Sequence, residues 1–252
     1  MSINLDSPSQ DRLHKVNSTS KIQVILLDVD NTLLDFHACA EDAIVQLFQE
    51  HNLDYQTNML EVFHKVNNYY WGELEKGHIK KQDIFNNRWK KIFELLEISI
   101  DGVEFEQKFI QKIAESSILV PGALTLVQEL AKQYYVCIAS NSQYEQQQRR
   151  LGAAGILPYV QQLFVSDRIG YAKPQQEFFK VCKRNLPMDT IQPQQILMIG
   201  DSLEADIIGA KSVGFQTCWY NYHQKPHTVL GAEMADYIVT DLEEIIDLFH
   251  KV

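Results

Sequence analysis

Short runs of β-branched and aliphatic residues recur along the chain, separated by stretches with helical periodicity. A continuous apolar run of this length is typical of a strand that is buried on both faces of a parallel sheet. Six runs predict strands: IQVILL from Ile22, Tyr134–Ala139, Leu163–Val165, Ile196–Gly200, Thr217–Tyr220 and Tyr237–Val239. The first of them ends in two aspartates one residue apart, Asp28 and Asp30.

Helical patterns fill most of the intervals between these runs. They cover Gly122–Gln133, Gln143–Ala154, Gln175–Asn185, Glu204–Val213 and Asp241–His250. The Gln-rich segment QYEQQQ around Gln146 is interpreted as a solvated helix face. Strands that alternate with helices of this length form βαβ units. The predicted fold class is therefore α/β, a doubly wound, Rossmann-like parallel sheet with helices on both faces.

One region interrupts the alternation of strands and helices. Residues 38–117 contain amphipathic helical stretches and no strand-like run, which predicts a helical cap domain inserted after the first strand. Residues 21–37 and 118–252 would then form the α/β core domain. Residues 1–20 are polar and rich in Ser, Asn and Asp, and we expect a flexible N-terminal tail there.

Polar and charged residues follow the predicted strands at the points where the strands end. In an open parallel sheet, ligands bind beyond the carboxyl ends of the strands, so these residues are candidates for a common site. They are Asp28, Asp30, Asn31 and Thr32 after the first strand, Ser140 and Asn141 after the second, Lys173 after the third, and Asp201 and Asp206 after the fourth.

These residue types suit one kind of chemistry when they converge. Carboxylates that crowd together raise one another's pKa unless a cation lies among them. Mg²⁺ is commonly held by one or two carboxylates together with substrate phosphate oxygens. A lysine and a hydroxyl supply donors to the remaining phosphate oxygens, and an aspartate can act as nucleophile. Each residue alone has a simpler interpretation as a helix cap or a turn residue, so the prediction of a phosphoryl-transfer site depends on their joint placement.

The order of these motifs around an inserted helical segment resembles the haloacid dehalogenase superfamily of phosphohydrolases. The resemblance runs from about Gln23 to the C-terminus and rests on DVDNT, the strand-terminal Ser140, Lys173-Pro174 and GDSLEAD. Within that superfamily, VNNYYWGELEKGHI, LVPGA, GYAKPQQEFF, ILMIGDSLEADIIGA and TCWYN most resemble bacterial pyrimidine 5'-nucleotidases of the YjjG/YfnB type.

The resemblance implies a role for each acid. Asp28 would attack phosphorus and become an aspartyl phosphate. Asp30 would protonate the leaving alcohol and then, as its conjugate base, activate water. Mg²⁺ would be bound by the Asp28 carboxylate, the Asp30 backbone carbonyl and Asp201, with Asp206 ordering either metal-bound water or Lys173.

The resemblance also implies a set of substrate contacts. Ser140 and Lys173 would hold the phosphoryl oxygens, helped by backbone N–H groups near Asn31 and Asn141, and Thr32 belongs to the same expected set. Ser142 stands where relatives often have Gly. Asn67 and Trp71, which are four residues apart on a predicted cap helix, would contact a nucleobase by hydrogen bonding and stacking.

Composition narrows the classes of partner. The formal net charge of -10 argues against binding to a nucleic-acid polymer or to an anionic membrane, since both require a basic surface. Residues 1–20 lack the apolar stretch expected of a signal peptide, and no later run has the length and apolar character expected of a membrane span. The four cysteines lack metal-ligand spacing. We expect a cytoplasmic monomer or homodimer with free thiols, Mg²⁺ as cofactor and a small phosphorylated substrate.

Four other functions remain open at this stage. A phosphatase of sugar phosphates or other metabolites would use the same core, because the cap selects the substrate. A 2-haloacid dehalogenase has the same fold, but a halide leaving group needs no proton and leaves Asp30 without a role. A phosphoacceptor switch would keep its aspartyl phosphate and would need no cap. A binding protein without catalysis would not need every reactive residue type.

Overall fold

In the computed structural model, residues 21–226 and 231–250 are described, and the predicted N-terminal tail lies outside them. Six strands form one sheet in the order β3-β2-β1-β4-β5-β6, and every neighbouring pair is parallel. The strands are β1 (Val24–Leu27), β2 (Tyr135–Ser140), β3 (Gln162–Val165), β4 (Ile196–Gly200), β5 (Gln216–Tyr220) and β6 (Tyr237–Val239). The predicted α/β fold with a parallel sheet is confirmed.

Ten α-helical segments accompany this sheet in the described part of the chain. They are α1 (Phe36–Glu50), α2 (Met59–Glu75), α3 (Lys81–Leu95), α4 (Gly102–Glu115), α5 (Ala123–Leu130), α6 (Tyr144–Ala153), α7 (Ser166–Ile169), α8 (Gln176–Arg184), α9 (Gly209–Lys211) and α10 (Leu242–His250). Three-residue 3₁₀ turns occur at Leu157–Tyr159, Pro193–Gln195 and Ala232–Met234.

The helix predicted after β4 has a different form in the structure. It begins as a π-helix over Leu203–Ile208 and becomes α-helical only at α9. The wide turn shows in the backbone N–H of Ile207, which donates to the carbonyl of Ser202, five residues earlier, at 3.3 Å. Single π-turns are frequent at functional sites, and this one aims Asp206 back toward the end of the sheet.

Strand β1 lies at the centre of the sheet and is fully buried on both faces. Ile25 and Leu27 contribute to one apolar cluster, which includes residues of α5 and α10. Val24 and Leu26 contribute to the opposite cluster, which includes residues of α8. Side chains alternate between faces along a strand, so a strand covered by helices on both sides must be apolar throughout.

Helices α1–α4, which we call the helical insertion, have an apolar core of their own. Phe63, Trp89, Phe105 and Phe109 pack together there, with the rings of Trp89 and Phe105 4.4 Å apart. The insertion also contacts the sheet side of the molecule, since Lys81 Nζ donates to the Ser142 carbonyl at 2.8 Å and to Ser166 Oγ at 2.9 Å. These contacts place the insertion over the carboxyl end of the sheet.

The cysteines and the hydropathy of the helices agree with the composition. All four cysteines are free and buried, as expected. Among the residues the structure describes, none of the helices combines the length and the apolar character required to cross a bilayer.

Candidate active site

The two aspartates after β1 lie at the carboxyl end of the central strand. The Asp28 backbone N–H donates to the carbonyl of Ile199 in β4 at 2.9 Å, so strand pairing continues up to the first acid. Asp30 follows two residues later and precedes a tight turn, which Asn31 enters with a positive φ of 64°. Both carboxylates line one cavity, as the period of two along an extended chain predicts.

Lys173 joins three strand ends through its amino group. Its Nζ donates to Asp28 Oδ1 at 2.7 Å, to Asp206 Oδ1 at 2.6 Å and to the Ala139 carbonyl at 2.7 Å. The Asn141 side chain fixes the backbone of the lysine, because its Nδ2 donates to the Lys173 carbonyl at 2.9 Å and its Oδ1 accepts from the Lys173 N–H at 2.8 Å. Asn141 therefore positions Lys173.

Asp28, Asp201 and Asp206 form a compact acidic cluster in which the carboxylate oxygens lie within 4.8 Å of one another. Burial, reinforced by the neighbouring Asp206, raises the pKa of Asp28 to about 7, although Lys173 acts in the opposite direction. Burial and the charge of Asp28 likewise hold the pKa of Asp201 well above its ordinary value. The single positive charge of Lys173 does not neutralise three carboxylates. Carboxylate oxygens at this spacing are suited to a hard divalent ion such as Mg²⁺.

Asp30 has two partners that sequence reasoning missed. Arg150 Nη1 donates to Asp30 Oδ1 at 2.5 Å, and Gln147 Nε2 donates to Asp30 Oδ2 at 2.8 Å and to Ser140 Oγ at 3.0 Å. Gln147 and Arg150 are fully buried, so interpreting the whole Gln-rich segment as a solvated face was wrong. Their spacing of three residues, followed by the buried Leu151, was the available signal of a core-facing stripe on α6.

The remaining residues predicted near the phosphate divide into two groups. Ser140 and Asn31 line the cavity, and among the described atoms Asn31 Oδ1 is buried without a hydrogen-bond partner. The Asn31 backbone N–H already donates to the Leu34 carbonyl at 2.7 Å, so it is not free for phosphate. Thr32 is fully buried and donates to Asp28 Oδ2 at 3.3 Å. The expected substrate contact of Thr32 is therefore corrected to a contact that orients Asp28.

The helical insertion forms the opposite wall of this cavity, whose volume is about 590 Å³. Asn67 and Trp71 of α2 both line it, together with Phe85, Arg88 and Phe109 from α3 and α4. The cavity thus extends from the charged residues at the end of the sheet to a wall of the insertion where aromatic side chains lie beside polar ones such as Asn67 and Arg88.

Glu75 at the end of α2 was not predicted from the sequence. It lines the same cavity and accepts from Ser202 Oγ at 3.4 Å, and burial raises its pKa. This contact brings an acid from the helical insertion to the end of β4.

A family match that covers most of the chain agrees with this geometry. A family model described as haloacid dehalogenase-like hydrolase matches residues 22–214. The chain belongs to this family. It is accordingly an enzyme of the hydrolase class, and the resemblance stated from the motifs is confirmed.

Individual relatives match over most of their length. HAD-hydrolase YfnB of Bacillus subtilis is 30% identical over 91% of this chain and 96% of its own, and its magnesium-bound crystal structure superposes with a TM-score of 0.85 over 91% of this chain and 99% of that one. Pyrimidine 5'-nucleotidase PynA of Streptococcus pneumoniae is 31% identical over 88% of this chain and 94% of its own. A glyceraldehyde 3-phosphate phosphatase of Pyrococcus furiosus is 25% identical over 92% of this chain and 94% of its own.

Proposed function

We propose that this protein is a Mg²⁺-dependent phosphatase that hydrolyses nucleoside 5'-monophosphates through an aspartyl phosphate on Asp28. The main support for the proposal is the lining of the cavity. Aromatic side chains of the helical insertion line one side, and the sheet side is lined by Asp28, Asp30, Ser140 and Lys173. A nucleotide has the matching polarity, with a phosphate at one end and a flat ring at the other. The pyrimidine 5'-nucleotidase name of one relative supports the same substrate class.

Asp28, Asp201 and Asp206 would hold the metal ion, with the backbone carbonyl of Asp30 as a further ligand. When bound, Mg²⁺ would offset the negative charge of the cluster and stabilise charge on the phosphoryl oxygens. The magnesium-bound crystal structure of YfnB supports this choice of ion.

The chain's own residues account for the bonds and protons of both steps. In the first step, a carboxylate oxygen of Asp28 forms a bond to phosphorus while the ester P–O bond breaks, and Asp30 gives its proton to the leaving oxygen. In the second, a water oxygen bonds to phosphorus as the Asp28 oxygen departs, and the Asp30 carboxylate accepts the water proton. Hydrogen bonds from Gln147 and Arg150 hold Asp30 at the cavity wall for both proton transfers.

Ser140 and Lys173 would donate to the phosphoryl oxygens. The three N–H groups of Lys173 already donate to Asp28, Asp206 and the Ala139 carbonyl, so the lysine would transfer one of these hydrogen bonds, such as the one to Asp28, to the phosphoryl group.

We also propose the domain division predicted from the sequence, with residues 38–117 as a cap over a core of residues 21–37 and 118–252. A cap that closes the cavity would keep bulk water from the phosphoryl group until the second step.

Each side chain assigned a role comes from a single chain, so a monomer suffices for catalysis and a homodimer is equally compatible. We expect the enzyme to act on soluble metabolites in the cytoplasm.

Phosphate release from a panel of nucleoside monophosphates and sugar phosphates, with Mg²⁺ or with EDTA, tests the function. Asp28→Asn should lose activity by at least about 10³-fold because it removes the nucleophile. Asp35→Asn is the matched control, since Asp35 caps α1 through the Ala38 N–H and asparagine caps equally well. Activity retained in Asp28→Asn would remove Asp28 as nucleophile, and a profile without preference for nucleotides would refute the nucleotidase.

The second candidate is a phosphatase of small sugar phosphates, favoured by the similarity to glyceraldehyde 3-phosphate phosphatase. It would use the same charged end of the cavity and leave the aromatic end unused. A haloacid dehalogenase is disfavoured, because Asp30 faces the cavity with dedicated partners and a halide leaving group needs no proton.

A further inference from the structure

A buried ion pair lies inside the helical insertion, away from the catalytic aspartates. Arg88 of α3 is 3% exposed and Glu106 of α4 is 1% exposed. Two bonds join them, from Arg88 Nη2 to Glu106 Oε1 at 2.5 Å and from Arg88 Nε to Glu106 Oε2 at 3.1 Å. A buried ion pair adds little net stability because both charges lose their hydration. Such a pair can instead fix the position of a neighbouring group.

The third bond of the guanidinium goes to a residue of the cavity wall. Arg88 Nη1 donates to Asn67 Oδ1 at 2.7 Å. A guanidinium can only donate hydrogen bonds, so it accepts just one orientation of the neighbouring amide. Because Glu106 holds the guanidinium on its other edges, the Asn67 amide is fixed with its oxygen toward Arg88.

This orientation leaves the amide nitrogen of Asn67 for the cavity. Among the described residues, this nitrogen donates to Asn68 Oδ1 at 3.5 Å, the outer limit of a hydrogen bond. Trp71, Phe85 and Phe109 line the same cavity. A fixed N–H donor among aromatic side chains is suited to a flat ring that carries a hydrogen-bond acceptor.

We propose that Glu106 and Arg88 are positioning residues that orient Asn67 Nδ2 to donate to a ring carbonyl of the substrate's base. The inference rests on the proposed nucleotidase function and specifies its substrate class as nucleotides whose base carries a ring carbonyl. If the base carried an amino group at the ring position that Asn67 Nδ2 contacts, two hydrogen-bond donors would face each other. A base without a ring carbonyl, such as adenine, would leave the buried amide unpaired, which a polar site penalises strongly.

The test is the variant Asn67→Asp, assayed with uridine 5'-monophosphate and with p-nitrophenyl phosphate. Aspartate keeps the acceptor for Arg88 but removes the N–H donor. We expect kcat/KM for the nucleotide to fall about 10- to 100-fold, mainly through KM, and to fall far less for p-nitrophenyl phosphate, which carries no base. Asn87→Asp is the control, since Asn87 is an exposed asparagine of α3 whose Nδ2 donates to the Asp83 carbonyl.

A second variant tests the positioning residues themselves. The double substitution Arg88→Met with Glu106→Gln removes both charges together, so that neither is left unpaired in the interior. We expect the preference for uridine over adenosine 5'-monophosphate to fall at least about 5-fold, with KM changing more than kcat. Circular dichroism and the melting temperature verify that this variant is folded.

The two proposals fail in different ways. Hydrolysis of p-nitrophenyl phosphate with no hydrolysis of nucleotides would refute the nucleotidase and this inference with it. Efficient hydrolysis of uridine 5'-monophosphate with an unchanged ratio in Asn67→Asp would refute the inference alone.

Discussion

Replacing Lys173 with methionine would leave the acidic cluster without the amine that the described structure places in it. The lysine is 2% exposed and forms ion pairs of 2.7 Å with Asp28 and 2.6 Å with Asp206. Removing one partner of a buried ion pair costs about 3–5 kcal/mol. We expect a loss of this size in the free energy of unfolding of the metal-free protein at pH 8, because methionine fills a similar volume without charge.

The pH dependence of this loss follows from the carboxyl groups. Burial already raises the pKa of Asp28 to about 7 from an ordinary value of 3.8, and losing the lysine charge would raise it further. The folded state then holds a proton more tightly than the unfolded state, so stability decreases as pH rises between the unfolded and folded pKa. The destabilisation by Lys173→Met should consequently be smaller at pH 5, where the acids can take up protons, than at pH 8.

Urea unfolding in EDTA at both pH values measures the effect. Lys132→Met is the control, because Lys132 forms an exposed pair with Glu129 and surface pairs contribute about 0–1 kcal/mol. Saturating Mg²⁺ should restore part of the stability by mass action. It should not restore the phosphatase activity, since the amine that donates hydrogen bonds to the phosphoryl oxygens is still missing. A loss below about 1 kcal/mol, or an equal loss at pH 5 and pH 8, would refute the electrostatic account of Lys173.

Three further predictions concern the same rim of the sheet. Gly200→Ala should lower stability by about 1–3 kcal/mol and weaken Mg²⁺ binding, because the added Cβ would collide with the Asp206 carboxylate; thermal melts at increasing Mg²⁺ would show it, and an unchanged melting curve would contradict it. Arg150→Met should reduce turnover of alkyl phosphates more than that of p-nitrophenyl phosphate, because the Asp30 carboxyl is no longer held in position for proton donation and a good leaving group needs less of it; equal reductions would argue against an acid role for Asp30. In EDTA, the free energy of unfolding of the wild-type protein should decrease from pH 4 to pH 7 as the raised pKa of Asp28 is crossed, and Mg²⁺ should flatten this slope; a flat profile in EDTA would refute the raised pKa.

The sequence by itself determined the sheet and the chemical types at its rim. Each buried parallel strand must be apolar on both faces, so the pattern could be recognised without knowing which helices cover it. The position of Asp28 and Asp30 after β1 followed from strand length and from the period of two. The residue types after β2 and β4 could be assigned to the same rim, because parallel strands all end at one edge.

Tertiary structure alone decided which of these groups touch each other and which way they point. Arg150 reaches Asp30 across 120 positions of sequence, and Asn67 is oriented by a residue of a different helix. Thr32 shares a motif with Asp28, yet it lies beneath the cavity because the tight turn after Asp30 directs it inward. Periodicity shows which face of an element is buried, but a buried polar group is defined by its partner. That partner depends on how the helical insertion packs over the sheet, and no local pattern in the sequence encodes that packing.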